Sequence, residues 1–192
     1  MIIVRAFASL SVRVFRFASN KISVLRFLLF DGVYLGVNCS ISLTARIKAT
    51  DGGKVIIGKN VSLGRGVSIV AQGGKVSIGD NCFIGDWSTI TSKDYVEIGP
   101  DSLIAERVSI RDQNHSLNGG EGIRIKDSGF SVAPIVIGTD VWLSAGVVVL
   151  KGVNLGSSSV VGANAVVVAN VEPMSIVGGV PARLLKKRNE KK

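Results

Sequence analysis

The stretch Arg111-Asp112-Gln113-Asn114-His115-Ser116-Leu117 holds the one histidine of a 192-residue chain. A neutral imidazole is the side chain best matched to moving a proton near pH 7. Asp112 and Asn114, its close neighbours, are candidates to orient the ring or a bound hydroxyl. About 19 residues, Ser116 to Pro134, follow before the next predicted strand, with Gly119, Gly120 and Gly122 making them pliable. A connection that long in a compact fold is usually functional. Trp142 adds an indole N–H, a donor that could face developing negative charge. With one histidine and two cysteines, and no CxxC pair, no zinc site is read.

These groups must be held by something, and the chain has a repeat. Ile, Leu or Val recurs every six residues in triplets: Leu35, Ile41, Ile47; Ile57, Leu63, Ile69; Ile78, Ile84, Ile90; Ile98, Ile104, Ile110; Ile137, Leu143, Val149; Leu155, Val161, Val167. Spacing between triplets is 10, 9, 8, 27 and 6 residues, so every insertion falls after a third slot, where a three-sided coil returns to its starting corner. Glycine follows every first slot (Gly36, Gly58, Gly79, Gly99, Gly138, Gly156) and no third slot. Glycine tolerates positive φ, so these positions are read as corners. Small residues recur four places after a slot, among them Ala45, Ser88, Ser102, Ser159 and Ala165. Cys39 and Cys82 stand at the same place and are read as small interior packing groups, not nucleophiles. Three faces with different corner chemistry predict a parallel β-helix of six triangular coils. Each inward aliphatic contributes roughly 1.5–3 kcal/mol of burial, and stacked neighbours cover one another's open ends. His115 and Trp142 each lie five residues after a slot, which should face outward.

Charge is concentrated at the ends. Residues 1–30 carry five basic residues and no acid, residues 183–192 carry six basic residues and Glu190, and the body between is close to neutral. Ile3, Phe7, Leu10, Val14 and Phe17 make one helical stripe, with Arg5, Arg13 and Arg16 on another side. Residues 1–31 are therefore expected as a basic amphipathic helical segment, either lying in an anionic membrane interface or capping the first coil. Residues 182–192 are expected as a short basic C-terminal helix or tail. No apolar run reaches 18 residues, so no transmembrane helix is read. Regular Thr-x-Thr ladders, which an ice-binding face would need, are missing, and the basic charge lacks the aromatic interleaving of a nucleic-acid groove.

The stretch PIVIGTDVWLSAGVVVLKGVNLGSSSVVGANAVVV, followed by GGVPARLLKK, resembles the C-terminal part of the hexapeptide-repeat acyltransferases, in the galactoside, maltose, streptogramin and capsule O-acetyltransferase group. The resemblance runs from residue 35 to about 186. It implies an all-β, left-handed parallel β-helix over residues 32–181, with the loop 116–134 inserted, and a homotrimer with active sites between subunits. It implies acetyl-CoA as co-substrate, no metal, and a sugar or glycan hydroxyl as acceptor. In that family the histidine of an N-H or N-x-H stretch is the general base, a role carried onto Asn114-His115. Trp142 matches the tryptophan lining the pantetheine channel, Ala145 and Ala163 match positions whose backbone touches that arm, and Arg183 and Lys186 match basic positions near the nucleotide phosphates. One departure is Val168-Ala169, where family members often have Thr-Lys. The reading is an O-acetyltransferase of cell-surface polysaccharide synthesis, cytoplasmic or peripheral at the inner membrane face. An antibiotic or small-sugar acetyltransferase is the near alternative, and a non-enzymatic β-helix assembly module the distant one.

Overall fold

In a computed structural model, Phe27 and residues 30–117 and 122–188 are described. The expected N-terminal amphipathic helix falls on residues outside these. The repeat builds three parallel sheets that form the walls of a triangular solenoid. Face one stacks Val33–Leu35, Lys54–Ile57, Lys75–Ile78, Tyr95–Ile98, Ile135–Ile137 and Asn154–Leu155. Face two stacks Ser40–Ile41, Ser62–Leu63, Phe83–Ile84, Leu103–Ile104, Trp142–Leu143, Val160–Val161 and Ser175–Gly178. Face three stacks Arg46–Thr50, Ser68–Gln72, Thr89–Ser92, Ser109–Arg111, Val148–Val149 and Val166–Val167. Strand register pairs slot with slot, as in Ile84 with Ile104 and Ile104 with Leu143. Every slot residue is buried except Leu35 in the first coil, which is half-buried against the same core.

The corners work differently from the expectation that the glycine after each first slot supplies positive φ. Those glycines are needed because the next coil passes too close for a side chain: a Cβ on Gly99 would lie 2.6 Å from the carbonyl carbon and oxygen of Gly138. Positive φ falls two residues later, on Asn38, Asn60, Asn81, Asp101, Asp140 and Ser158, with φ between 55° and 60°. Asn and Asp tolerate that region better than other side chains. They also stack, Asn60 Nδ2 donating to Asn81 Oδ1 and Asn81 Nδ2 to Asp101 Oδ1, each at 2.9 Å. The second corner has the same requirement, met by Gly66, Gly146 and Asn164, but also by Trp87 and Arg107.

The small residues four places after the slots close a column of bonds between coils. Ser88 Oγ donates to Ala105 O at 2.9 Å, and Ser102 Oγ to Gly138 O at 3.2 Å. Cys39 and Cys82 do the same, each Sγ donating at 3.2 Å to the carbonyl of Gly58 or Gly99 in the next coil. Ser159, in the last full coil, has no partner for its buried hydroxyl among the described residues.

The expected C-terminal helix is a strand. Arg183–Lys187 runs antiparallel to Ser175–Gly178 and ends face two. The physical reason is the open edge: the last rung leaves N–H and C=O groups unpaired, and a returning strand satisfies them where a helix would not. Lys187 Nζ then reaches Pro173 O and Ser175 Oγ, and Arg188 Nη1 lies 2.9 Å from Asp140 Oδ2.

Candidate active site

The insertion after Ile110 is an arm with its own structure. Its outgoing strand, Gln113–His115, pairs antiparallel with its returning strand, Phe130–Val132, in the register Gln113 with Val132, Asn114 with Ser131, and His115 with Phe130. Ser116 N donates to Gly129 O at 3.0 Å, and Ser128 Oγ to Ser116 O. A 3₁₀ turn at Ile125–Asp127 sits near the tip, with Arg124 Nε 2.7 Å from Asp127 Oδ2. From sequence these residues are expected as a pliable loop; Phe130–Val132 carries no strand signal because three residues are too few for a period.

His115 is exposed on this arm, as its place five residues after a slot predicts. Its ring packs on Phe130, centroids 4.7 Å apart and planes inclined by 32°. On the same phenyl ring sits Lys93, whose Nζ is 4.2 Å from the centroid. Neither Phe130 nor Lys93 carried a sequence signal, because both reach the histidine only through folding. Asn114 is exposed next to His115.

Asp112 is fully buried, and its carboxylate is taken up by the turn of the preceding coil rather than by the imidazole. It accepts from Ser92 Oγ at 2.7 Å, from Lys93 N at 2.9 Å and from Asp94 N at 2.9 Å. A buried carboxylate with this many donors is satisfied and held in place. Its contribution is to lock the root of the arm to the turn of the preceding coil. Gln113 adds a second tie, Nε2 to Thr91 Oγ1 at 3.2 Å.

The other sequence-derived residues lie on other parts of the prism. Trp142 is exposed on face two, in register with Leu103 below and Val160 above. Ala145 and Ala163 stack at the corner between faces two and three, Asn164 N donating to Ala145 O at 2.9 Å. Arg183 and Lys186 are exposed on the C-terminal strand of the sheet that holds Trp142. Arg183 lines a groove of about 390 Å³ with Ala169, Asn170 and Glu172, the region of the departure at Val168-Ala169. Face two and the second corner therefore gather Trp142, Ala145, Ala163, Arg183 and Lys186, while His115 and Asn114 project from the far end of face three. Trp87 stands on the same corner two coils earlier, 63% exposed, its indole covering Gly66.

Burial raises the pKa of both cysteines, Cys39 and Cys82, above the ordinary thiol value. A buried, protonated thiol is a poor nucleophile.

A family model described as the hexapeptide repeat of succinyl-transferase matches residues 75–105 and 134–169. The "Putative lipopolysaccharide biosynthesis O-acetyl transferase WbbJ" of Escherichia coli K12 is 36% identical over 148 residues, covering 71% of this chain and 74% of that protein. The chain belongs to the hexapeptide-repeat acyltransferases. The galactoside O-acetyltransferase of the same organism is a shorter match, 32% identical over 110 residues, 57% of this chain and 53% of that protein. A solved structure of AntD, an N-acyltransferase from Bacillus cereus in complex with dTDP-4-amino-4,6-dideoxyglucose and coenzyme A, superposes with a TM-score of 0.71 at 21% identity, over 88% of this chain and 89% of that one. It shares the fold. The hexapeptide-repeat acyltransferase described here thus has a left-handed β-helix as its frame, with one long insertion, the arm that carries its sole histidine.

Proposed function

We propose that this acyltransferase moves the acetyl group of acetyl-CoA to a hydroxyl of a sugar, in the building of a cell-surface polysaccharide such as capsule, lipopolysaccharide or exopolysaccharide. The observation that carries the reading is the exposed His115 on a braced arm of a chain related over most of its length to WbbJ. In the proposed reaction an imidazole nitrogen takes the proton of the acceptor hydroxyl as its oxygen attacks the thioester carbonyl. The tetrahedral intermediate collapses, the C–S bond breaks, and the coenzyme thiolate leaves with the proton from the imidazolium. Transfer is direct, since both thiols are buried. The indole N–H of Trp142 and backbone N–H groups supply donors for the oxyanion.

Asn114 orients the acceptor or the imidazole. Ala145 and Ala163 line the pantetheine path, and Arg183 and Lys186 meet the nucleotide phosphates as cations. His115 and Trp142 stand on different faces of one chain, so the reading requires that a neighbouring copy complete the site, as in a homotrimer. The exposed apolar side chains of the arm, Leu117, Ile123 and Ile125, suit such a contact. No helix among the described residues is long and apolar enough to cross a membrane. The basic segment 1–30 then serves as a peripheral contact with the inner membrane face.

The test is turnover of acetyl-CoA against a glycan panel, scored by thiol release. His115→Ala should lower kcat by about 10²–10⁴-fold while the coenzyme still binds. Turnover at the wild-type rate refutes the base assignment.

A further inference from the structure

We propose that Lys93 selects acceptors that carry a negative charge near the hydroxyl to be acylated. This rests on the reading of His115 as the base and adds the class of substrate. The ammonium and the imidazole share one phenyl ring, Lys93 Nζ at 4.2 Å from the Phe130 centroid and the His115 ring at 4.7 Å from it. The charge is therefore held within about 9 Å of the base, a range over which a partly desolvated pair still interacts.

Both groups hang from one anchor. Asp112 takes the backbone N–H of Lys93 at 2.9 Å and lies three residues before His115 on the strand leading into the arm. Cation and base are thus tied to the same root of the arm.

The cation also lacks a counter-charge. Among the described residues no carboxylate lies within ion-pair distance of Lys93 Nζ, and Lys93 as a residue is half-buried. The charges that face this region are few. The Asp112 carboxylate is buried and fully engaged with Ser92, Lys93 and Asp94 backbone or hydroxyl donors. Asp94 is exposed on the turn, Arg111 is exposed at the foot of the arm, and Arg124 is matched by Asp127. Beside His115 an ammonium thus rests on an aromatic face without a carboxylate to pair with it. An anionic oxygen on the acceptor completes the pair, either a ring carboxylate, as in a hexuronic acid, or a phosphate on the sugar.

Acceptor binding tests this without turnover. Calorimetric titrations of the full chain with coenzyme A present would compare a neutral hexoside, a hexuronic acid glycoside and a hexose 1-phosphate. One charged ligand should bind at least about 10-fold more tightly than the neutral one, with the advantage shrinking as salt rises. The better of the two identifies carboxylate or phosphate as the source. Lys93→Gln should erase the advantage and leave the neutral ligand within about 2-fold, and Lys93→Glu should reverse the preference. Equal binding of all three by the wild type, or equal weakening of neutral and charged ligands in Lys93→Gln, overturns the proposal. His115→Ala should keep the charge preference, so a failed base assignment and a failed charge assignment give different results.

Discussion

His115 is one imidazole in a chain with no second candidate for its task, and its environment is built by residues that the sequence does not flag. Phe130 lies 15 positions later and Lys93 22 earlier, and only the arm's register and the coil stacking bring them to the ring. Asp112 was readable as a neighbour of the histidine, but its contacts lie with Ser92, Lys93 and Asp94, one coil back. Asp112→Ala should therefore act on stability as well as on rate. Stripping a buried carboxylate from several donors costs about 3 kcal/mol or more, visible as a lower Tm, whereas His115→Ala should leave Tm nearly unchanged. The thiols allow a second prediction at this scale. Burial favours the protonated form of Cys39 and Cys82 in the folded chain, so the stability this contributes is full below the ordinary thiol range and is lost as pH rises through the raised values. In native protein at pH 8 both cysteines should resist a thiol-exchange dye, and both should react once the chain is unfolded in denaturant. Rapid reaction of either thiol in the native state contradicts the packing assignment.

At the scale of strands and corners, the six-residue period was fully legible, since each slot is an aliphatic and 17 of the 18 are buried. The corner rule was only half legible. Glycine after the first slot was seen, but its cause is coil-to-coil crowding, and the residue in the left-handed region stands two places on. The Asn and Asp column there was a signal that could have been read. Gly99→Ala should be strongly destabilising although Gly99 does not have positive φ, because its new methyl meets the Gly138 carbonyl at 2.6 Å. In the buried column, Ile104→Ala should cost about 2–5 kcal/mol in denaturant titration. The C-terminal strand was not legible, because Arg-Leu-Leu-Lys-Lys has no alternation; the open sheet edge that it pairs with is a property of the stack.

For the whole molecule, the charge map has two basic ends on a nearly neutral body. Removal of residues 1–30 should release the protein from vesicles containing anionic phospholipid in a flotation assay, and unchanged binding would remove the membrane contact from the functional reading. Sedimentation should give the mass of three copies.

A solenoid built from stacked rungs faces the hazard that templates fibrils: its last rung is a row of bonding groups waiting for the next segment. In this chain Arg183–Lys187 crosses that rung in the opposite direction and sets the exposed cations Arg183 and Lys186 along the outside. The same few residues proposed to greet a nucleotide would then also act as the stopper against end-to-end polymerisation, so a chain shortened at Ala182 should scatter light on standing even where its rungs remain intact.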